Sequence, residues 1–391
     1  GCQGGVARDL VTARDRAAPS PWYHDLMTTS SRRFLLGLPW LALLGCRARI
    51  DYDTPIPDDG TFARGEPSQE QRAHYELAAA WSQERNGLAL VVIQGQTIVF
   101  EDYAAGYSLE DPVHIFSGTK SFSCSMALAA RAEGILDLDA PAADTLEEWS
   151  QAGEPYTEIT ARRLLNFTSG LEQQDWLLTH DGLTSNQRVD DKYALALEGE
   201  VATVPGEVFE YGSAHLMAFG ALMERLLDRS PLDWLEERIL DPLGFRYAGW
   251  IHDPSGNPML PYGCFTTALE WAKYGVFVRD DGVWQGARLL PEGAMSDCWT
   301  GTPSMPAYGL TFWLNEDLDE NQQERLPSDD IASQGSMYPD GYRDLVVAAG
   351  YNDQRLYILP SEDLVVVRLG QHHREWDDTP FLARLLEGRE D

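Results

Sequence analysis

Between residues 68 and 85 apolar side chains recur at helical spacing, and two apolar runs follow, GLALVVIQ and TIVFEDYA, separated by Gly95-Gln96. Two such runs joined by a tight Gly-containing turn predict a β-hairpin. After the Asp111-Pro112 turn, FSGTKSFSCSMALAARAEGIL carries apolar or small residues at helical spacing and stops at Gly134, so a helix is predicted to begin around Ser117. From roughly 140 to 300 helical segments (ARRLLNF, HLMAFGALMERLLDR, PLDWLEERIL) alternate with turn-rich loops. Beyond 300 the character changes to short β-prone runs, YGLTFWLN, DLVVAAGY, RLYILP and DLVVVRLG, followed by a helical FLARLLEG. Strands at both ends of the chain around a helical middle predict one antiparallel sheet assembled from both ends and flanked by helices. The result is an α+β body over 68–391, with its α/β part at 68–140 and 300–391 and a helical insertion at 141–299. The acidic stretch from Asn315 to Asp330 reads as a solvated surface excursion, and His372-His373 with the acidic residues after them as a solvent-facing turn.

Upstream of that body the pattern is that of an address. MTTSSRRFLLGLPWLALLGC, residues 27–46, has a polar start, paired Arg32 and Arg33, an apolar run from Phe34 to Leu44, then Gly45 and Cys46. The apolar run is well short of the ~20 residues that span a bilayer as a helix, and it reads as a cleavable export signal. SRRFL looks like a twin-arginine signal and LLGC like a bacterial lipobox, in which Cys46 carries the lipid. Residues 1–45 are then a leader with Met27 as a plausible true start, and 46–67, rich in Asp, Pro and Gly, a flexible tether. The expectation is an exported protein held to the membrane only by a lipid anchor, facing the periplasm or cell exterior.

Composition adds exclusions. With 43% hydrophobic and 24% charged residues the chain has ample core-forming material, and at 391 residues it is long enough for two domains or one with a large insertion. A net charge of -32 repels nucleic-acid phosphates and anionic lipid. Outside the leader the cysteines are Cys124, Cys264 and Cys298; three without C-x-x-C spacing support neither a zinc site nor a disulfide framework, and leave room for one bridge. Cys124 is expected to be a buried small hydrophobe.

The candidate chemistry starts from an imbalance: three lysines against twenty-seven arginines, with Lys120 three residues after Ser117. On a helix, positions i and i+3 share a face, so hydroxyl and amine come within hydrogen-bond reach. A serine hydroxyl needs a base to become a nucleophile, and a guanidinium cannot serve near neutral pH whereas a partly desolvated amine can. A helix start also offers backbone N–H groups to a developing oxyanion. In PGEVFEYGSAHLMAFG, Tyr211 is a phenol that can relay a proton from a lysine, and Ser213 a hydroxyl that can bond it; either can equally be packing. In DLVVAAGYNDQRLYILP, Gly350 between strand-like runs lets a substrate approach the strand edge and receive the Tyr351 N–H, or is a plain turn glycine.

Together these pieces resemble the serine β-lactamase and penicillin-recognising family, with its ordered motifs S-x-x-K, Y-x-N or S-x-N, and K-T-G on a strand. The class C β-lactamase branch, with its esterase and 6-aminohexanoate-dimer hydrolase relatives, is the nearest fit. RRLLNFTSGL is similar to the family's LLxHTSGL, PGEVFEYGS to PGxxFxYSN, ILDPLGF to its PLGM segment, and GCFTTALEWAKYG to GGLFxTAxDLARFG. The resemblance implies a β-lactamase/transpeptidase-like fold with Ser117 as nucleophile, Lys120 and Tyr211 as the proton-transfer pair, and Ser213 as the second-motif polar residue. It also implies an oxyanion hole from the Ser117 and Tyr351 N–H groups. Trp176, in the loop after TSGL, is a candidate substrate-lining residue. No metal or organic cofactor is called for.

Two departures redirect the expected substrate. Ser213 stands where Asn is common, and Ala348-Ala349-Gly350 replaces K-T-G, removing the groups that grip a penicillin carboxylate. The expected activity is therefore hydrolysis of small-molecule esters or small amides through an acyl-enzyme. The alternatives are a β-lactamase or D-Ala-D-Ala carboxypeptidase, and a non-catalytic sensor or binding module.

Overall fold

The computed structural model describes residues 52–173, 189–326, 335–339 and 341–390. The expected export signal with Cys46 and the expected start at Met27 lie outside the described residues, as does Trp176.

Seven strands build the main sheet: β1 (Ala63–Arg64), β2 (Gly87–Gln94), β3 (Thr97–Tyr103), β4 (Trp313–Leu314), β5 (Val346–Gly350), β6 (Gln354–Leu359) and β7 (Leu364–Gly370). Their order is β1-β3-β2-β7-β6-β5-β4, antiparallel throughout except for β1, which lies parallel to β3. The N-terminal hairpin and the C-terminal meander join where β2 pairs with β7, from Gln94↔Leu364 to Ala89↔Leu369. Every residue of β5, β6 and β7 is buried, which explains why these runs are apolar without alternation.

Burial on both faces requires helices on both faces. The principal ones are α1 (Gln69–Gln83), α2 (Phe122–Ala132), α3 (Ala214–Leu227), α4 (Ala268–Arg279) and α5 (Asp378–Glu387). Helix α1 begins at a capping box in which the Ser68 hydroxyl accepts from Gln71 N–H and the Gln71 side chain accepts from Ser68 N–H. It packs with α5 on one face, where Phe381 stacks on Tyr357 of β6 at 5.5 Å. On the other face α4 lies so close that a side chain on Gly275 would run into Leu356 and Val365.

Four expectations change. The α4 segment, assigned from its place in the chain to the helical insertion, belongs to the sheet's own layer; every residue of α4 is buried. The helical part also contributes Gly249–Trp250 and Cys264–Thr266 to a small sheet with Val113–His114, which ties it to the strand leading into Ser117. The expected tether is not free over its described residues. Ile56 and Phe62 are buried, β1 extends the sheet, and Asp59 forms a 2.7 Å ion pair with the buried Lys273, itself paired with Glu270 at 2.9 Å. Nor is Cys124 an inert hydrophobe: it forms a disulfide with Cys298, 174 positions away, the two Cα atoms standing 6.2 Å apart. Closing a loop of that length restricts the unfolded chain by an amount on the order of 5 kcal/mol. Finally, Asn315 at the head of the acidic stretch is buried, its side chain holding Tyr338 N–H at 2.8 Å and the carbonyls of Tyr338 and Tyr342 at 3.0 Å each.

Candidate active site

Ser117 lies in a 3-10 turn, Phe116–Ser121, that leads directly into α2. The residue before it, Phe116, has φ +48, a conformation that bulky side chains adopt at a cost of about 1–3 kcal/mol and that clusters at functional turns. Its ring is held between His114, at 3.9 Å, and Tyr351, at 5.5 Å, and His114 in turn stacks on Phe265 at 4.3 Å. Sequence pattern gave no sign of this constraint, because it depends on four rings from three separate segments.

The turn presents the Lys120 Nζ 2.9 Å from the Ser117 Oγ, and the same nitrogen reaches the Pro261 carbonyl at 3.0 Å. Lys120 is 3% exposed. The other two lysines of the chain, Lys192 and Lys273, are 1% exposed each, so every surface cation is an arginine. Lys192 donates to the Tyr262 hydroxyl at 2.9 Å, one residue from the carbonyl that receives Lys120. Rarity of lysine was a signal in the sequence only at Lys120; the burial of Lys192 and Lys273 is a finding of the structure.

Tyr211 sits beside this pair: its ring centroid is 5.1 Å from Lys120 Nζ. The ring is boxed by Trp313, stacked at 5.5 Å, with Phe167 and Tyr308 edge-on at 5.4 and 6.0 Å. Ser213 does not bond the lysine as expected. It is buried at the start of α3, and its Oγ makes no hydrogen bond among the described residues, while Lys120 directs itself to Ser117 and Pro261.

Two residues further on, His215 supplies a support that the sequence reading passed over. Its Nδ1 lies 2.8 Å from the Ser169 Oγ, its Nε2 2.8 Å from the Glu210 carbonyl, and its ring stacks on Phe167 at 4.8 Å. A neutral imidazole with the proton on Nε2 satisfies both contacts. Burial pushes its pKa down to about 4, against the hydrogen bond that its Nε2 donates to the Glu210 carbonyl. Because the folded pKa is depressed below the usual ~6.5, the unfolded chain binds the proton first as pH falls. The stability contribution is complete above pH 6.5 and is lost progressively down to about 4, amounting to about 3 kcal/mol. Urea unfolding between pH 7.5 and 4.5 is expected to show this loss in the parent and a flatter profile in His215→Gln; parallel profiles would exclude His215 as the group responsible.

Gly350 ends β5 against the turn that carries Ser117. A Cβ there would overlap the Ile115 carbonyl oxygen and stand 3.0 Å from Gly118 N. The missing side chain therefore admits the turn that carries Ser117, rather than simply leaving a strand edge open to substrate. Tyr351 follows on the hairpin, its ring stacked on His372 at 5.7 Å. The structure thus gathers Ser117, Lys120, Tyr211, Gly350 and Tyr351 at one place, from the two ends of the chain and its middle. Ala348 and Ala349 are both buried, and neither carries a group that could hold an anion. Glu210, next to Tyr211, has a carboxyl pushed up by burial, with the charge of Glu172 adding to the effect.

The family model described as Beta-lactamase matches residues 69–385. A 6-aminohexanoate-dimer hydrolase of Paenarthrobacter ureafaciens is 23% identical over 316 residues, covering 74% of this chain and 73% of that protein. Among solved structures, a D-stereospecific amidohydrolase from Streptomyces superposes with a TM-score of 0.57 at 18% identity, covering 83% of this chain and 100% of the other. EstCE1, a hydrolase with promiscuous acyltransferase activity, does so with a TM-score of 0.60 at 13% identity, with the same coverage of 83% and 100%. At these identities the superpositions speak to fold alone.

Proposed function

The chain belongs to the Beta-lactamase family, and from that premise we propose that it is a serine hydrolase of carboxylic esters or small amides, working through an acyl-enzyme on Ser117. The observation that carries this is the 2.9 Å contact between Lys120 Nζ and Ser117 Oγ at a buried, strained turn. The neutral Lys120 amine takes the hydroxyl proton as Oγ attacks the carbonyl carbon. The oxyanion is received by the N–H groups of Ser117 and Tyr351. Tyr211, in reach of the protonated amine, passes the proton to the leaving alcohol or amine. Water then enters, gives its proton back along the same route and releases the acid.

Substrate class follows from what the strand lacks. Ala348 and Ala349 stand where the family places a basic and a hydroxyl residue, so a substrate carboxylate finds no charged hydrogen bond there, a loss worth about 10- to 100-fold in binding. The name of the 6-aminohexanoate-dimer hydrolase relative supports a small amide as one such substrate. The test is one purified sample assayed on p-nitrophenyl acyl esters, small amides and a chromogenic cephalosporin, followed by intact mass. Ester turnover with a transient acyl adduct, and a kcat/KM for the cephalosporin about 10- to 100-fold lower, is expected. Cephalosporin hydrolysis as fast as ester hydrolysis would instead favour a β-lactamase, and a permanent adduct a sensor.

The same reading places the enzyme outside the cytoplasm, lipid-anchored through Cys46 after a twin-arginine signal. The Cys124–Cys298 disulfide supports it, since such bonds persist in oxidising compartments.

A further inference from the structure

Behind the hairpin that carries Gly350 and Tyr351 lie two buried arginines, directly opposite each other across β6 and β7: Arg355 and Arg368. They are 6% and 0% exposed. Arg368 grips the turn itself, donating to the carbonyls of Asp353 at 2.8 Å and Asn352 at 3.2 Å, both residues being in left-handed conformation, and to the Arg85 carbonyl at 2.7 Å. Arg355 is held by both oxygens of Asp378, at 2.9 and 3.2 Å, and its remaining nitrogen Nη1 donates to the Gly350 carbonyl at 3.2 Å and the Gln354 carbonyl at 3.1 Å. Asp378 also accepts from the Tyr357 hydroxyl at 2.5 Å. Burial works against the charge on Arg355, but Asp378 outweighs it and the guanidinium stays protonated.

Two like charges buried side by side are costly, and an apolar pair of similar volume would stabilise a sheet at least as well. The placement of Arg355 suggests what the cost supports. The Gly350 carbonyl and the Tyr351 N–H belong to one planar peptide group, so pinning the oxygen aims the N–H. A charged donor on the oxygen also polarises the amide and strengthens the N–H as a hydrogen-bond donor.

We propose that Arg355 is a positioning residue for catalysis: clamped by Asp378, it fixes and polarises the Gly350–Tyr351 peptide so that its N–H serves the oxyanion. This rests on the reading of Ser117 as nucleophile and Tyr351 N–H as oxyanion donor. Arg355 touches no substrate; its site is the far end of the peptide that does.

The experiment compares Arg355→Met, Arg355→Lys and Asp378→Asn with the parent on a p-nitrophenyl ester, with competent sites counted by titration to completion with a fluorophosphonate. In Arg355→Met, kcat per titrated site is expected to fall about 10- to 100-fold, as for a weakened oxyanion donor, with affinity for a boronic acid that forms a tetrahedral adduct falling in parallel. KM is expected to stay within about twofold, because the ground-state carbonyl draws little on this donor. Arg355→Lys recovers part of the loss. Asp378→Asn keeps the shape but releases the clamp, and so provides a milder version of the same shift if Arg355→Met folds poorly. Unchanged kcat per site and boronate affinity, with only the melting temperature lowered, would make the arginine a structural brace and overturn the proposal. Ester turnover surviving in Ser117→Ala would instead remove the reading beneath it.

Discussion

Ester turnover is expected to drop by about 10,000-fold or more in Ser117→Ala and by about 100- to 10,000-fold in Lys120→Arg, with cooperative unfolding preserved in both. The second substitution is the sharper one, because it keeps a positive charge. Lys120 Nζ sits between Ser117 Oγ at 2.9 Å and the Pro261 carbonyl at 3.0 Å, under the Tyr211 ring. A guanidinium could donate to both oxygens, yet it does not surrender a proton near neutral pH. If the role of this side chain were to hold the turn together, arginine would restore much of what Lys120→Met loses. If its role is to take the proton of Ser117, arginine and methionine should be about equally inactive. Steady-state rates on one ester, read beside thermal melts of the three variants, separate these outcomes. Retention of more than about a tenth of the parent's kcat in Lys120→Arg would exclude the amine as base.

The second large effect is expected from Gly350→Ala, a single added methyl group. It would overlap the Ile115 carbonyl oxygen and come within 3.0 Å of Gly118 N, and both are backbone atoms of the turn that carries Ser117. Neither can rotate away. Either β5 withdraws from the turn or the turn shifts over the start of α2, and each movement alters the spacing between Ser117 and the Tyr351 N–H. Misplacing an oxyanion donor in this way is expected to lower kcat by about 100- to 1,000-fold. Overpacking should also destabilise the fold by about 1–3 kcal/mol. Urea unfolding and kcat per titrated site measure the two separately; kcat within about threefold of the parent would mean that the strand end takes no part in the reaction.

Legibility was uneven for physical reasons. Helices α1, α3 and α5 and the β2–β3 hairpin carry periodic patterns or tight-turn residues, and those act over a few positions. The turn at Ser117 was readable because the chemistry of S-x-x-K is local: two side chains one helical turn apart meet whatever surrounds them. Tyr211 and Gly350 were reached only through ordered motif resemblance, since nothing near them in the chain says what they face. The Ser213 expectation failed because a hydroxyl's partner is set by the direction of its neighbours, and Lys120 was already committed elsewhere.

Local order along the chain determined the α+β class and the Ser117–Lys120 pair, and motif resemblance the substitution of alanines for an anion grip. Tertiary structure alone decided the rest. It placed α4 on the sheet, joined Cys124 to Cys298, and drew residues 56–64 into the core and the sheet edge. It bent Phe116 into a left-handed conformation against the distant ring of Tyr351, and set two arginines behind the hairpin of Tyr351. Each of these depends on atoms brought together across tens to hundreds of positions. Periodicity records which face of an element is buried; it does not record what that face is buried against.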